Sequence, residues 1–576
     1  MTADFRLLSL SLALVKENHF PEALQLLDQA LARAPEEPDI LLTKGYVLRL
    51  LGKIEEGEPY FAKANVLDPN RPFTLAKIGQ IEFWRGDYTK AMQWFEKAIQ
   101  AAQTPPAPGI AESTFESVEQ TSILAYCTMI QNLAERDLFD EMAQVIRKAT
   151  EEYGEDSRIQ TQAFSAWFAA GDLDKAIHHL SQLLRLKVSS DISQGAQRHL
   201  TLCKWAKRSL EKDVPQAAES YSANGKPPLV IAITVWGESY VSDFLNFYIR
   251  TMLSPGNLPA LSKDFDVRFV VLTTGQDQKH LERAGVEEAL SPYATVHFFT
   301  MPGSMVVSSN HLDSTLFIYR IYILTMHIAI SYAQAIGAAI NLGVPDAIIA
   351  DGSFKNLARW ATEDKKEAVF AQGLVVNEKT FPQNLSPKSH WPDPLTITAE
   401  DLMAEGAKHL HPLVENRVVC PSNNNFSDIK SAIFWWTKDG LVGHLFHWHP
   451  IFISSDCLKK YKRYRFVSID AILPHLLFPD SASWDQIHLV TQSDDFGFVT
   501  LGPTNKAFPT SGAPFTVYAL RRYHFNGIDV RNLGRWMFRH KVTYRGFLPA
   551  NIASSEMAYD PEIIDLIGEP SSIEPS

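Results

Sequence analysis

The chain has 576 residues, with 54 lysines and arginines against 66 aspartates and glutamates, so its formal net charge is −12. The length predicts roughly two to four domains. Hydrophobic residues make up 45% of the chain and charged residues 21%, a globular composition that excludes a disordered protein. Because nucleic-acid binders are normally basic, we expect no nucleic-acid partner.

The cysteines and the apolar tracts indicate the cellular compartment. The sequence contains four cysteines and no Cys-x-x-Cys pair, a pattern typical of reduced thiols in a cytosolic protein. The first residues lack the cleavage site of a signal peptide. The longest apolar tract, residues 316–342, is interrupted by Arg320, which indicates a buried helix rather than a membrane span. We therefore expect a cytoplasmic protein.

Apolar and small residues recur at a constant interval in the first third of the chain. The recurring positions are Leu27, Phe61 and Phe95, then Ala30, Ala64 and Ala98, then Gly45 and Gly79. An interval of about 34 residues is typical of paired helices, in which the glycines allow close approach and the Ala and Phe positions fill the seam. The pattern over residues 4–103 resembles the tetratricopeptide repeat.

The array continues beyond a Pro-rich insertion at residues 103–117. The fragment Gly-Asp-Tyr-Thr-Lys-Ala at residue 86 has its counterpart at residue 171, so we count about five units and assign residues 1–215 to a helical repeat domain. The resemblance implies a concave groove that binds a protein or peptide. The alternatives are a passive spacer and a dimerisation arm.

After a polar linker, residues 216–228, apolar strands alternate with helical patterns. The predicted strands are 229–235, 267–273, 295–300 and 346–350, and the predicted helices are 240–253, 278–289 and 314–342. This alternation predicts an α/β domain over residues 229–550, with ligands at the carboxyl ends of a mainly parallel sheet. Residues 551–576 are predicted to be a C-terminal tail.

Residues 229–360 resemble the nucleotide-sugar-binding half of GT-A glycosyltransferases, which have a Rossmann-like mixed sheet. These enzymes carry Asp-x-Asp after a helix and a short strand, and Asp351-Gly352-Ser353 stands there in this chain. The resemblance implies that Asp351 and Ser353 bind the donor, with Asp351 holding Mg²⁺ or Mn²⁺. The second carboxylate is replaced by a hydroxyl. The alternative is a turn in which Asp351 bonds the backbone.

Aromatic and imidazole side chains add to this predicted donor site. Trp236 follows the first strand, where its ring can stack on a nucleotide base. His447 and His449 lie in a segment predicted as a strand, in which residues two apart point to the same face. The resemblance implies that His449 completes the metal shell. A histidine here can also act as acid or base, and the alternative is a pair of satisfied histidines on an edge strand.

Three carboxylates are candidates for the base that an inverting transferase needs. Asp470, Asp494 and Asp495 each follow an apolar run that is predicted as a strand. Sequence alone does not choose among them, because strand-end acids also cap turns.

The segment 521–545 is basic in an otherwise acidic chain. Arg521 and Arg522 are candidates to neutralise the donor diphosphate. The segment is also compatible with contact to a membrane surface or an anionic glycan, with RNA binding, or with a solvated helix face.

Together these features predict a glycosyltransferase that moves a hexosyl or similar sugar from a nucleotide sugar to a protein or glycan acceptor docked by the repeats. The alternative is a non-catalytic adaptor with a degenerate transferase-like domain. The two hypotheses differ in whether Asp351, His449 and one of the three candidate bases share one cleft.

Overall fold

The computed structural model describes residues 3–16, 19–50, 54–85, 87–103, 118–305, 314–385, 391–419, 432–438, 440–461, 465–470, 472–503 and 532–546. Contacts between residues divide the chain into two units, Met1–Ala196 and Gln197–Ser576. Most of the Pro-rich insertion and the predicted tail 551–576 lie outside the described residues.

In the described part of the first unit, every regular element is an α-helix, so the prediction of a helical domain here is confirmed. The helices are α1 (Ala3–Lys16), α2 (Phe20–Arg33), α3 (Pro38–Leu50), α4 (Ile54–Leu67), α5 (Pro72–Arg85), α6 (Tyr88–Gln103), α7 (Val118–Glu135), α8 (Phe139–Tyr153), α9 (Ser157–Ala169), α10 (Leu173–Leu183) and α11 (Ser190–Arg208), the last continuing into the second unit.

The repeating glycines occupy the positions where two helices of a pair approach most closely. A Cβ atom on Gly45 would lie 2.9 Å from the ring of Phe61, and one on Gly79 would lie 2.9 Å from the ring of Phe95. Both phenylalanines are buried. The 34-residue interval therefore reflects a repeated contact between a glycine on one helix and an aromatic ring on its partner.

The predicted linker 216–228 contains the end of a helix and a segment fixed to the sheet. Helix α12 (Val214–Glu219) extends into it. Beyond the helix, Asn224 donates to Asp266 Oδ1 at 3.0 Å, and Arg268 donates to the carbonyl of Ser222 at 3.1 Å. These bonds hold the segment at the start of the second strand.

The second unit contains one large sheet and two small ones. The strands are β1 (Pro228–Thr234), β2 (Asp266–Thr274), β3 (Ala294–Met301), β4 (Ala339–Leu342), β5 (Ala347–Ile349), β6 (Ala368–Ala371), β7 (Leu374–Asn377), β8 (Ala432–Thr437), β9 (Gly440–Leu445), β10 (His449–Ile453), β11 (Ile487–Leu489), β12 (Phe498–Gly502) and β13 (Lys541–Arg545). The large sheet has the order β11-β6-β10-β4-β1-β2-β3, and the small sheets are β5-β12-β7 and β13-β9-β8.

The large sheet is mixed. Its strands run parallel to one another except β10, which is antiparallel to both of its neighbours, β4 and β6. Residues 229–234 of β1 are all buried, because helices cover both faces of a sheet of this kind. That burial explains the continuous apolar run of the first predicted strand.

The helices of the second unit surround these sheets. They are α13 (Glu238–Asp243), α14 (Ile249–Met252), α15 (Leu258–Leu261), α16 (Gly275–Arg283), α17 (Val286–Leu290), α18 (Ser314–Ala335), α19 (Ser353–Thr362), α20 (Phe381–Asn384), α21 (Ala399–Lys408), α22 (Pro412–Glu415), α23 (Ser455–Lys460), α24 (Leu473–Leu477) and α25 (Asn532–Arg539), with π-helical turns at Ser209–Asp213 and Phe244–Tyr248. None of the helices in the described ranges is both long and apolar enough to cross a membrane.

The predicted helix 314–342 is wrong in its last part. Helix α18 ends at Ala335, Gly337 adopts a left-handed conformation with φ of 68°, and residues 339–342 form β4. A glycine in this conformation ends a helix readily because it has no Cβ. The predicted strand 346–350 corresponds to β5, which lies in a small sheet and not in the large one.

Candidate functional site

The carboxyl ends of the parallel strands place several functional side chains along one edge of the large sheet. Trp236 follows β1, Thr274 ends β2, and Gly343 follows β4. Because β10 is antiparallel, its first residue, His449, lies at the same edge, opposite Ala371 at the end of β6. This edge is the usual ligand-binding side of an open α/β sheet.

Three carboxylates from three elements lie beside this edge. Asp243 ends α13, Asp346 precedes β5, and Glu378 follows β7. In the small sheet β5-β12-β7, the backbone amide of Leu501 donates to the carbonyl of Asp346 at 3.3 Å. The amide of Glu378 donates to Gly502, the next residue along β12, at 3.2 Å. The small sheet thus brings Asp346 and Glu378 to the same end.

Two of these three acids, Asp346 and Asp243, have raised pKa values. Burial, together with the negative charges of Asp243 and Glu378, raises the pKa of Asp346 to about 7. Burial, with the charge of Glu378, raises the pKa of Asp243 to about 6. The cluster therefore changes its charge near neutral pH and favours a ligand that neutralises it.

Tyrosines line the same place. Tyr240 is 47% exposed and Tyr319 is 44% exposed. Burial raises the pKa of Tyr240, and so do the nearby charges of Asp346, Glu378 and Asp243. Burial also raises the pKa of Tyr322, with contributions from Asp470 and Asp346. Asp470, one of the candidate bases, therefore belongs to this group of side chains, which we call the acidic cleft (Tyr240, Asp243, Tyr322, Asp346, Glu378, His449 and Asp470).

The predicted pairing of histidines on one strand face is wrong. His449 begins β10, but His447 precedes the strand, and His444 lies in β9. The Nδ1 atom of His444 bonds the carbonyl of Phe538 at 2.7 Å. His449 Nε2 instead bonds the carbonyl of Leu342, the last residue of β4. The rings of His444 and His449 therefore form hydrogen bonds with different neighbours.

Asp351 has the contacts of a turn residue. Its Oδ1 accepts a hydrogen bond from the amide of Gly256 at 2.6 Å, and its own amide donates to the carbonyl of Ile397 at 2.8 Å. Gly352 follows with φ of 92° and precedes α19. Asp351 follows Asp346 by five positions, so the two acids flank β5 and are up to roughly 16 Å apart along an extended chain.

The remaining predicted site residues are spread over several contacts. Ser353 is buried, and its hydroxyl lies 3.5 Å from the carbonyl of Gly497. Asp494 is exposed and forms an ion pair with Arg545 at 3.0 Å. The backbone carbonyl of Asp495 accepts a hydrogen bond from Asn356 at 2.7 Å.

Asp470 does not follow a strand, contrary to the sequence prediction. The described residues on its amino-terminal side, 465–469, form no regular element. One carboxylate oxygen of Asp470 accepts a hydrogen bond from Ser468 at 2.9 Å, and its side chain remains exposed. Its place beside Tyr322 and His449 comes from tertiary packing and not from a strand end.

Trp236 begins a turn that is fixed to the next strand. The amide of Gly237 donates to Asp277 Oδ2 at 3.1 Å, and the hydroxyl of Thr274 donates to the same oxygen at 2.7 Å. The other oxygen of Asp277 has no partner among the described residues. Sequence analysis missed Asp277, a free acceptor beside Trp236.

The basic segment is only partly within the described residues. Arg521 and Arg522 lie outside them. Arg535 and Arg539 belong to α25, and Lys541 and Arg545 belong to β13. The ring of Trp536 packs 5.4 Å from that of Trp484.

The described residues do not fit the metal site that the resemblance implied. Across the described ranges, no three His, Cys, Asp or Glu side chains are placed to hold one ion. Mg²⁺ and Ca²⁺-like ions take six or more oxygen ligands, with carboxylates among them. Within the described residues Asp351 is bonded to Gly256 and His449 to Leu342, and no hydrogen bond joins the two side chains.

A small cavity lies beneath the edge of the sheet, at Gly343. Its volume is about 20 Å³, the space of roughly one water molecule. Tyr248 and Asn341 line it, and neither the Tyr248 hydroxyl nor Asn341 Oδ1 has a partner among the described residues. His449 also lines the cavity, and apolar residues form the rest of its walls.

Comparisons with known proteins identify the repeats in the first part of the first unit. Models of the tetratricopeptide repeat match residues 8–72 and 74–105. Residues 8–105 are tetratricopeptide repeats. Such repeats form extended concave binding surfaces, so they indicate a protein or peptide partner.

Several solved structures are similar to part of this chain. The type IV pilus biogenesis factor PilW is 14% identical, with a TM-score of 0.30, over 36% of this chain and 86% of its own. Pseudomonas aeruginosa pilF is 12% identical, with a TM-score of 0.29, over 38% and 88%. YrrB, described as a tetratricopeptide protein with an unusual peptide-binding site, is 15% identical, with a TM-score of 0.24, over 33% and 90%. The comparison with curated proteins finds no match.

Proposed function

We propose that residues 229–550 form a glycosyltransferase of the GT-A type, which transfers a sugar from a nucleotide-sugar donor to an acceptor selected by the tetratricopeptide repeats. The strand order supports this proposal. Four parallel strands, β3-β2-β1-β4, are followed by the antiparallel β10, which is the mixed Rossmann-like arrangement expected of that class.

The observation that carries the proposal is the composition of the acidic cleft. It combines an exposed aromatic ring, that of Tyr240, with carboxylates at the carboxyl end of β4. A sugar offers hydroxyl groups that donate to carboxylates and an apolar face of C–H groups that packs on an aromatic ring. A cleft with both kinds of group therefore fits a sugar.

The rest of the donor extends along the edge of the sheet towards β1 and β2. In this proposal the ring of Trp236 stacks on the base, and the free oxygen of Asp277 accepts from a base N–H group. The diphosphate needs positive charge beside these acids, and Arg521 and Arg522 are the proposed source. The contacts of Asp351 move the proposed sugar site from residues 351–353 to Asp346.

A panel of nucleotide sugars, read by thermal shift on the full chain, tests the proposal. A ligand at 100 times its Kd adds about 2.7 kcal/mol of stability. We expect one donor to raise the melting temperature of the wild type, Asp277→Asn to lose the response to the free nucleotide, and Asp346→Asn to lose only the response to the sugar.

Asp191→Asn is the matched control, because Asp191 is exposed on α11 in the repeat unit. It should respond to the donor as the wild type does. If no nucleotide sugar shifts the wild type and no donor is turned over, the proposal is wrong and the adaptor hypothesis is favoured.

A further inference from the structure

One main-chain hydrogen bond determines the protonation of the His449 ring. His449 Nε2 bonds the carbonyl oxygen of Leu342, and a carbonyl oxygen only accepts. The Nε2 atom must therefore carry the proton, which leaves Nδ1 of the neutral ring with a free lone pair. Nδ1 has no partner among the described residues.

The position of the ring is fixed by the centre of the large sheet. His449 is the first residue of β10 and lies opposite Ala371 at the end of β6, while its bond to Leu342 ties it to the end of β4. Two strands thus hold the ring at the edge of the large sheet, where Asp346 precedes β5 of the small sheet. A lone pair held this firmly is oriented before any substrate arrives.

The surrounding charges suit a ring that gains and loses a proton. Burial lowers the pKa of His449, which keeps the ring neutral, and the negative charge of Asp470 acts in the opposite direction. The charges of Asp470 and Asp346 also act on Tyr322. A carboxylate beside a neutral imidazole stabilises the imidazolium that forms when the ring accepts a proton.

We propose that His449 is the general base of the transfer, with Asp470 as the positioning residue that acts through it. This inference rests on the proposed glycosyltransferase function. It replaces the assignment of His449 to a metal shell, since the described residues supply no set of three ligands. It also replaces Asp470 as the direct base.

The proposed step is a single displacement that balances. As the acceptor oxygen forms its bond to the anomeric carbon, the acceptor O–H proton passes to His449 Nδ1. The bond between the anomeric carbon and the donor phosphate oxygen breaks, and its electron pair leaves with the diphosphate. The imidazolium then returns its proton to solvent. The configuration of the sugar is inverted.

His449→Gln separates the base from the structural role of the ring. The glutamine amide can still donate to the Leu342 carbonyl, but it has no basic lone pair. Donor binding, read by thermal shift, should therefore be unchanged, while kcat for transfer should fall by about 10²-fold to 10⁴-fold. His178→Gln, at an exposed position of α10, is the control and should leave both quantities unchanged.

The pH profile of kcat tests the role of Asp470. Because the rate requires neutral His449, the wild type should lose activity on the acidic side, below the pKa of this ring. Asp470→Asn removes the charge that raises this pKa, so the acidic limb should move to lower pH while donor binding persists. A structural role alone would not move this limb.

Different results would contradict the role of His449 and the proposed glycosyltransferase function on which it rests. If His449→Gln binds donor and transfers at the wild-type rate, the base is elsewhere. If Asp470→Asn loses as much kcat as His449→Gln and its limb does not move, Asp470 is the base. If His449→Gln does not fold, the wild-type and Asp470→Asn profiles still decide. If the wild type binds no donor, the proposed function fails and this inference fails with it.

Discussion

Asp346→Asn tests whether the carboxylates of the acidic cleft oppose folding at neutral pH. The pKa of Asp346 is raised from its ordinary 3.8 to about 7. Between these values the unfolded chain has lost the proton while the folded chain keeps it, so stability falls as pH rises. Below about 4 both states are protonated, and above about 7 the penalty is complete. Asparagine carries no charge at any pH.

The size of this change in the free energy of unfolding depends on how much of the pH range between the two pKa values can be measured. Between pH 5.5 and pH 8.5 the penalty grows by at most about 1.5 pKa units, or about 2 kcal/mol at 1.36 kcal/mol per unit. Asp346 is only partly buried, so solvent screening reduces this to about 1 kcal/mol. The variant should gain this much over the wild type on going from the lower to the higher pH.

Urea unfolding followed by hydrogen–deuterium exchange measures the gain in the second unit alone. Peptides from β1 and β4 report the unfolding of this unit separately from the repeats. Asp191→Asn should change stability by less than about 0.5 kcal/mol at both pH values. An equal gain for Asp346→Asn at both pH values, or a loss at pH 8.5, would refute the reasoning.

Three further predictions concern the packing of each unit. Gly45→Ala should destabilise the repeats by about 1–3 kcal/mol in urea unfolding, because the new Cβ atom meets the ring of Phe61. Gly195→Ala is the control: a Cβ there has nothing within 4 Å, so this variant should be neutral or stabilising. Equal effects of the two substitutions would contradict the prediction. Tyr248→Phe should leave stability unchanged or raise it by up to about 1 kcal/mol, because the hydroxyl has no partner within the described ranges; a loss of that size would indicate an ordered water in the cavity. Burial lowers the pKa of His179 to about 4, so the stability of the repeats should fall as pH drops from 6.5 towards 4, and His179→Asn should flatten this slope in acid unfolding.

The repeats could be predicted from the sequence because their contacts recur at a fixed separation. Gly45 meets Phe61 just as Gly79 meets Phe95, so a short-range pattern carries the tertiary contact. The strands β1 and β2 were also predictable, since each is an apolar run that is almost entirely buried, whereas β3, a half-exposed strand at the edge of the large sheet, was predicted from a shorter apolar run. β4 was not, because its apolar residues Ala339, Ile340 and Leu342 extend the apolar pattern of α18.

The hidden β4 explains why the candidate site was placed incorrectly. A search for an acid after a helix and a short strand finds Asp351 after β5, whereas the strand that ends at the edge of the large sheet is β4, followed by Asp346. Asp243 and Glu378 are far from Asp346 in the sequence. The register of the small sheet brings Glu378 to Asp346, and Asp243 comes from the end of α13. The periodicity of apolar residues gives no information about contacts between residues that are distant in the sequence.

The place of β10 in the large sheet has a consequence for biosynthesis. The repeats pair helices that are neighbours in the chain, so they can fold while the ribosome is still producing the second unit. The large sheet cannot close in this way, because β10 must enter between β4 and β6, both of which are made before it. Until it arrives, the nascent chain exposes an unpaired strand edge on each side of the gap. Such edges pair readily with other chains, so a polypeptide that stops before His449 should require chaperone protection even when its repeats are fully folded.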